Sequence, residues 1–308
     1  MGKKISWGLC LLAVFMLAVP LAGFGQEKAP AQAPQAAAPA ATTPAAPAPG
    51  APAAPAPAAK AAPTAPAAPE PIPDPKALLS KSCEFLKNQS QFSFKAEIVN
   101  DRVYRGGKKL QFGQEISASF KRPDRLRLDG DGDLEAKLLM FDGKTLTLYD
   151  KFKNHYGVIE AAGDSDAVLE KAFKDHGLKV GLAELGGAKL CDRVGKNVEH
   201  SLYAGLHKVR GVPCHHLAFD RKDIHYQLWI EAGDKPVVRK IVITQKKLPG
   251  SPQWTAYLSD WNFSPVFADN FFAFSPPPGA QKIKFLPVKS SDTPAPKKVK
   301  PKKKGDKS

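Results

Sequence analysis

The chain has 308 residues, with 45 lysines and arginines against 30 aspartates and glutamates, and a formal net charge of +15 at pH 7. The excess is uneven, because residues 297–308 alone hold seven lysines and one aspartate. A basic balance gathered in a tail describes a sticky end and argues against a nucleic-acid-binding fold.

In chain order, residues 1–25 read as a secretory signal. Lys3-Lys4 precede an uncharged apolar run from Ile5 to Phe24, with small residues at Gly23 and Gly25. A run of ~20 apolar residues is also long enough to span a bilayer, so an uncleaved anchor stands as the alternative. Residues 26–73 form an Ala/Pro-rich linker. Fifteen prolines fall between Ala29 and Pro75, and nothing there is large enough to bury, which is the composition of disorder. The foldable part is residues 74–288, and residues 289–308 form a second disordered segment, rich in lysine.

Asp74-Pro75 opens a helix with a carboxylate cap and a proline in the first turn, and Leu78, Leu79, Cys83 and Leu86 share one stripe of it. Phe92, Phe94, Ala96 and Ile98 then alternate with polar residues, as do Ile116, Ala118 and Phe120, and later Leu126 and Leu128. Arg122-Pro123 interrupts the ladder, since proline has no N–H to donate. Leu134, Ala136, Leu138 and Met140 predict a further apolar row, and Asp142-Gly143 a hairpin turn. Two short strands follow, then a helix over 165–176 and a glycine-interrupted apolar stretch over 178–190. Five more strands run from residue 200 to residue 263. Many antiparallel strands with two or three helices that do not alternate with them exclude a doubly wound fold. The expectation is a mainly β, α+β domain: a curved, incomplete antiparallel sheet whose concave face is covered by the helices.

The order of local patterns in this region resembles one family. A strand ending Arg122-Pro123-Asp124, then Phe141-Asp142-Gly143-Lys144-Thr145-Leu146, Asn154-His155-Tyr156, Gly211 to Phe219, Trp229-Ile230-Glu231, Asp260-Trp261 and the closing Phe274 to Ala280 are similar to the LolA/LolB-type lipoprotein-carrier superfamily. More closely they resemble a group of predicted periplasmic proteins of unknown function within it, over roughly residues 74 to 287. The resemblance implies a half-barrel with a helical lid and a periplasmic location. It also implies that Arg122, matching the arginine of the carriers' Arg-Pro pair, hydrogen-bonds the lid and is linked to its opening. The Ala/Pro linker and the lysine tail are not part of the carriers' pattern.

Catalytic chemistry has no motif beneath it, and no cofactor or metal is expected. Asp129, Asp131 and Asp133 have the first spacings of a calcium loop, but Leu134 and Met140 stand where glycine and glutamate are needed. His215 and His216 are adjacent on a strand and point to opposite faces. An exported chain meets an oxidising compartment, so one disulfide with one free thiol is expected among Cys83, Cys191 and Cys214. Cys191–Cys214 is the first choice because Cys83 sits on a buried stripe, and the other pairings stay open. The expected activity is binding, without catalysis. An apolar or acylated ligand would lie between sheet and helices, against Phe120, Leu128, Met140, Trp229 and Trp261. The alternative is an envelope sensor or scaffold that binds a protein partner. The lysine tail would add weak contact with anionic surfaces.

Overall fold

The computed structural model describes residues 72–287. The expected signal or anchor, the lysine tail and nearly all of the Ala/Pro linker lie outside the described residues. The domain opens on helix α1 (Pro75–Lys87), where both carboxylate oxygens of Asp74 accept first-turn N–H groups, from Lys76 at 3.0 Å and Ala77 at 3.3 Å. Two long strands follow, β1 (Gln91–Val103) and β2 (Lys109–Lys121), then β3 (Arg125–Gly132), β4 (Lys137–Asp142), β5 (Thr145–Asp150) and β6 (His155–Glu160). Helix α2 (Ser165–His176) and a 3-10 turn over Gly181–Gly186 lead into the short helix α3 (Leu190–Val194). The chain then returns to strands: β7 (His200–Val209), β8 (Val212–Asp220), β9 (Ile224–Glu231), β10 (Val238–Gln245), β11 (Gln253–Asn262) and the brief β12 (Gln281–Ile283).

All twelve strands belong to one sheet of order β12-β6-β5-β4-β3-β2-β1-β11-β10-β9-β8-β7. Neighbours are antiparallel except β12, which runs parallel to β6. The sheet does not close, so it is a curved half-barrel. β1 is its seam, paired along its whole length with β2 and on its other side with β11.

Alternation decides what each strand shows to each face. On β1, β2 and β3 the inner row is Phe92, Phe94, Ala96 and Ile98, then Ile116, Ala118 and Phe120, then Leu126 and Leu128, as the sequence pattern predicts. On β9, Tyr226, Leu228 and Ile230 point inward. β11 changes parity part-way. Its pairing with β1 shifts register between Ser93 and Lys95, and Asp260 adopts a φ of 52°. That bulge turns Trp261 and Phe263 inward, in step with Leu258 rather than with Asp260.

β4 departs from the expectation. Its inner residues are Leu139 and Phe141, so Leu138 and Met140 lie on the outer face. The reason is that the outer face is covered here too. The segment 264–280 crosses it, with the Arg127 guanidinium 5.0 Å from the Phe271 ring centroid and Phe274 against Tyr149 and Tyr156. A strand buried on both sides loses its alternation, and Leu139, Met140 and Phe141 are all buried. Asp142-Gly143 does make the β4–β5 turn, with Gly143 at φ 90° and the Asp142 carboxylate accepting from the Lys144 and Thr145 N–H groups.

The disulfide expectation is also corrected. Cys83 of α1 is bonded to Cys191 of α3, and Cys214 is a free, fully buried thiol. Cys214 shares a parity with His216, which stacks on the outward Trp229, so it lies on the opposite face of the sheet from both helices. Burial pushes its thiol up to about 11. Alkylation of the denatured, unreduced protein should therefore modify Cys214 and leave Cys83 and Cys191 linked. Since the bond closes a separation of 108 residues, Cys83→Ala should lower unfolding free energy by about 2–5 kcal/mol in urea titrations. An unchanged midpoint would show that the α1–α3 link is dispensable.

Candidate ligand cavity and its latch

The two halves of the concave face are filled differently. Over β2 and β3 the 3-10 turn sits directly on the sheet. A Cβ at Gly186 would overlap the Phe120 ring, and one at Gly187 would overlap the Asp166 carboxylate, so both positions require glycine for close approach. Over β9 and β10 the contact is looser, and a cavity of about 70 Å³ remains. Its roof is Leu79, Cys83 and Leu86 of α1, with Leu190 and Val194 of α3. Its floor is Leu228, Val238, Ile241 and Trp261. Few polar groups face it: Ser82, Arg221 and Tyr226, whose hydroxyl donates to the Val194 carbonyl at 2.8 Å. An apolar space with a small number of placed polar groups is the general form of a small-molecule site.

The roof is held at one rim by Arg122. Its Nε donates to the Gln89 carbonyl at 3.0 Å, and its Nη2 to Leu86 and Leu185 carbonyls at 3.3 and 3.2 Å. Nη1 donates to the Gly186 carbonyl. One planar cation thus gathers the open carbonyls of the last turn of α1 and of the 3-10 turn. It stands 5.6 Å from the Phe92 ring centroid, above an aromatic cluster of Phe92, Phe94 and Trp261. Burial pulls its pKa below the usual value, opposed by the nearby Asp166 charge, but a guanidinium stays protonated.

A second polar node ties the 3-10 turn to α2 and α3. The Asp166 carboxylate, almost fully buried, pairs with Arg193 at 2.8 Å and accepts the Lys189 N–H at 3.0 Å. Glu184 joins it only distantly, 4.0 Å from Arg193. Burial raises the Glu184 carboxyl to about 7, partly countered by Arg193.

The residues expected to line a ligand site separate into three groups. Trp261 lines the cavity. Phe120 and Leu128 point inward but are packed in the filled half, Phe120 beneath Gly186. Met140 and Trp229 are corrected: both lie on the outer face, Met140 at 2% exposure on the side crossed by residues 264–280. Trp229 is stacked on His216 at 4.0 Å, with the Lys240 ammonium 4.5 Å from its ring centroid. Arg122 bonds carbonyls at the end of α1 and in the 3-10 turn. Arg221, Leu228, Val238, Ile241 and the α1 and α3 stripes are among the lining residues that the sequence reading missed. For Leu228 the signal existed, since it alternates with the polar Gln227 and with Trp229. Asp129, Asp131 and Asp133 are engaged by Arg127, Lys151 and the Gly113 N–H. Among the described residues no group of three or more His, Cys, Asp or Glu is placed to hold a metal.

A family model described as predicted periplasmic protein (DUF2092) matches residues 76–286, from α1 through β12. The chain belongs to this family. Membership makes it a protein of the periplasm. Curated proteins include no significant match. Solved structures include an uncharacterised conserved protein of Thermus thermophilus, with 10% identity and a TM-score of 0.42 over 68% of this chain and 98% of that one. The lipoprotein LppX of Mycobacterium tuberculosis gives 11% identity and a TM-score of 0.36 over 63% and 98%. A LolA superfamily protein of Nitrosomonas europaea gives 11% and 0.33 over 65% and 97%. At this level of likeness the architecture of the DUF2092 chain stands on its own strand order and register.

Two outcomes follow from the latch and its node. Arg122→Ala leaves the carbonyls of Gln89, Leu185 and Gly186 without their donor and that of Leu86 with only the Gln89 N–H, and should lower unfolding free energy by about 3 kcal/mol in urea titrations. Arg122→Lys should recover little of it, because one ammonium cannot reach both segments; full recovery by lysine would mean that charge alone matters. For Glu184, the folded protein holds a proton between about pH 4.5 and 7 that the unfolded chain has released. Its contribution to stability therefore falls as pH rises through that window, by at most about 3 kcal/mol at roughly 1.4 kcal/mol per pH unit. Glu184→Gln should match the wild-type melting temperature near pH 4.5 and exceed it near pH 8. A constant difference at both pH values would contradict the assignment.

Proposed function

We propose that the protein is a non-enzymatic periplasmic binding protein that holds an apolar or acylated ligand, a lipid or a lipoprotein, between the sheet and its helical roof. The observation that carries this reading is the apolar cavity under α1 and α3, in a domain whose other concave half is filled to contact. The cavity is smaller than the ~300–1,000 Å³ of ordinary ligand pockets, so loading requires the roof to lift. The latch suits that movement. The bonds of Arg122 to the roof all end on backbone carbonyls of two short segments, Leu86 to Gln89 and Leu185-Gly186, so they can be released together.

Protein purified from its own envelope should carry lipid detectable by native mass spectrometry or by extraction. Leu228→Trp, which fills the cavity from the floor, should abolish that lipid while the circular dichroism spectrum stays native. Lipid retained by this variant, or no lipid in the wild type, would count against the reading.

A partner-binding sensor or scaffold is the second reading, and one observation favours it. β7 ends the sheet, and Leu202 and Leu206 on it are 62% and 57% exposed. A sheet edge that has no further strand among the described residues and carries exposed leucines suits strand addition by a partner chain. Crosslinking from position 202 in cells distinguishes the two, since a stoichiometric protein adduct supports the sensor and transient lipoprotein adducts support the carrier.

A further inference from the structure

Among the arginines of the roof and sheet, two have a buried N–H without a hydrogen-bond partner, Nη1 of Arg193 and Nε of Arg221, and of these only Arg221 also lacks a carboxylate. Arg122 has its carbonyls, Arg193 pairs with Asp166, Arg239 with Glu231 and Arg127 with Asp129. Arg221, which follows β8 and lines the cavity, is 6% exposed. Its Nη2 donates to the carbonyls of Arg193 and Val194 at 2.8 and 2.6 Å, closing the end of α3. Its Nε–H is buried and has no hydrogen-bond partner, and no carboxylate of the described residues pairs with it. The guanidinium lies 5.2 Å from the centroid of the Tyr226 ring and also bonds its hydroxyl, a neutral partner that leaves the charge without an anion. A second donor among the lining residues is also unmet: the indole N–H of Trp261 is buried without a partner.

Buried donors are ordinarily paired, and a buried cation ordinarily has an anion beside it. The cavity wall therefore carries an unmet positive charge and unmet N–H groups in an otherwise apolar lining. A purely apolar ligand would leave them unmet. An ester or alcohol oxygen would meet an N–H but not the charge; a carboxylate meets both. We infer that the cavity takes a single acyl chain ending in a carboxylate, with the carboxylate on Arg221 and the chain along Leu228 and Ile241. This rests on the reading of the cavity as a ligand site and specifies the ligand's chemical class. The Nε–H of Arg221 is buried in the closed form, so the carboxylate reaches it as the roof lifts.

The test is calorimetric titration of the full-length mature protein with dodecanoate, methyl dodecanoate and dodecanol, at about pH 8 where the acid is ionised. Dodecanoate should bind at least ~10-fold more tightly than either neutral analogue, the value of one charge-assisted hydrogen bond in a buried site. Arg221→Met should bring the three to parity, and Arg221→Lys should keep the preference. Should Arg221→Met fail to fold, the wild-type series and Arg221→Lys still decide. Equal binding of all three by the wild type overturns the carboxylate assignment and leaves the apolar-ligand reading standing. A preference that survives in folded Arg221→Met also overturns it, because the anion then sits elsewhere. Binding of none of the three counts against both readings.

Discussion

The roof depends on where helix ends find their partners. A helix leaves its last carbonyls open, and a 3-10 turn does the same. Here the open carbonyls of α1 and of the turn over Gly181–Gly186 converge on one guanidinium, Arg122, at the end of β2. The next residue extends the junction: the Pro123 carbonyl accepts both the N–H and the hydroxyl of Ser165, the first residue of α2. Arg122 itself donates its backbone N–H to Ser90. Two consecutive residues thus fix the exit of α1, the entry of β1, the 3-10 turn and the start of α2. Proline serves here because its missing N–H is not needed at a position where β2 stops pairing.

The opposite rim is built on the same principle with a different residue. Arg221 collects the last carbonyls of α3, and the Cys83–Cys191 bond ties that helix to α1. Between the two rims the support is unequal. β3 to β6 are backed on their outer face by residues 264–280, with Phe267, Phe271 and Phe272 packed edge-on and stacked among themselves. The outer face of β8 to β11 carries instead a half-buried row of His216, Trp229, Lys240 and Tyr257, aligned by register across four strands. The cavity lies over the half that, among the described residues, has no second layer behind it. Deformation of the sheet and lifting of the roof are least opposed there.

Local alternation made most of this architecture legible. The inner rows of β1 to β3, the Asp74 cap and the placement of Arg122 at a strand end all follow from patterns a few residues long. What was not legible depends on a third layer or on distant elements. The parity of β4 cannot be read when residues 264–280 bury its outer face as well. Trp229 is large and aromatic, which suggests a core role, yet its parity against Leu228 and Ile230 puts it outside. The buried stripe makes Cys83 the less expected partner, but α3 brings Cys191 onto that same stripe. Nothing local marks Arg221, because only the fold brings the end of α3 to it.

The remaining question is why a cavity lined by a guanidinium with an unmet Nε–H persists in a domain packed closely over β2. An empty apolar space costs about 24 cal/mol per Å³ in the best-studied case, so a void of this size is worth on the order of 1–2 kcal/mol. The unpaired donors of Arg221 and Trp261 add about 1–3 kcal/mol each. One substitution on the floor, a leucine to phenylalanine, would remove most of the first cost, and a methionine at 221 much of the second. Neither repair requires moving the backbone. A fold that places glycine at both 186 and 187 to achieve contact over β2 is capable of contact over β9 as well. Local rules of packing and pairing are broken together at one place, and sites of that kind are where function is held against stability.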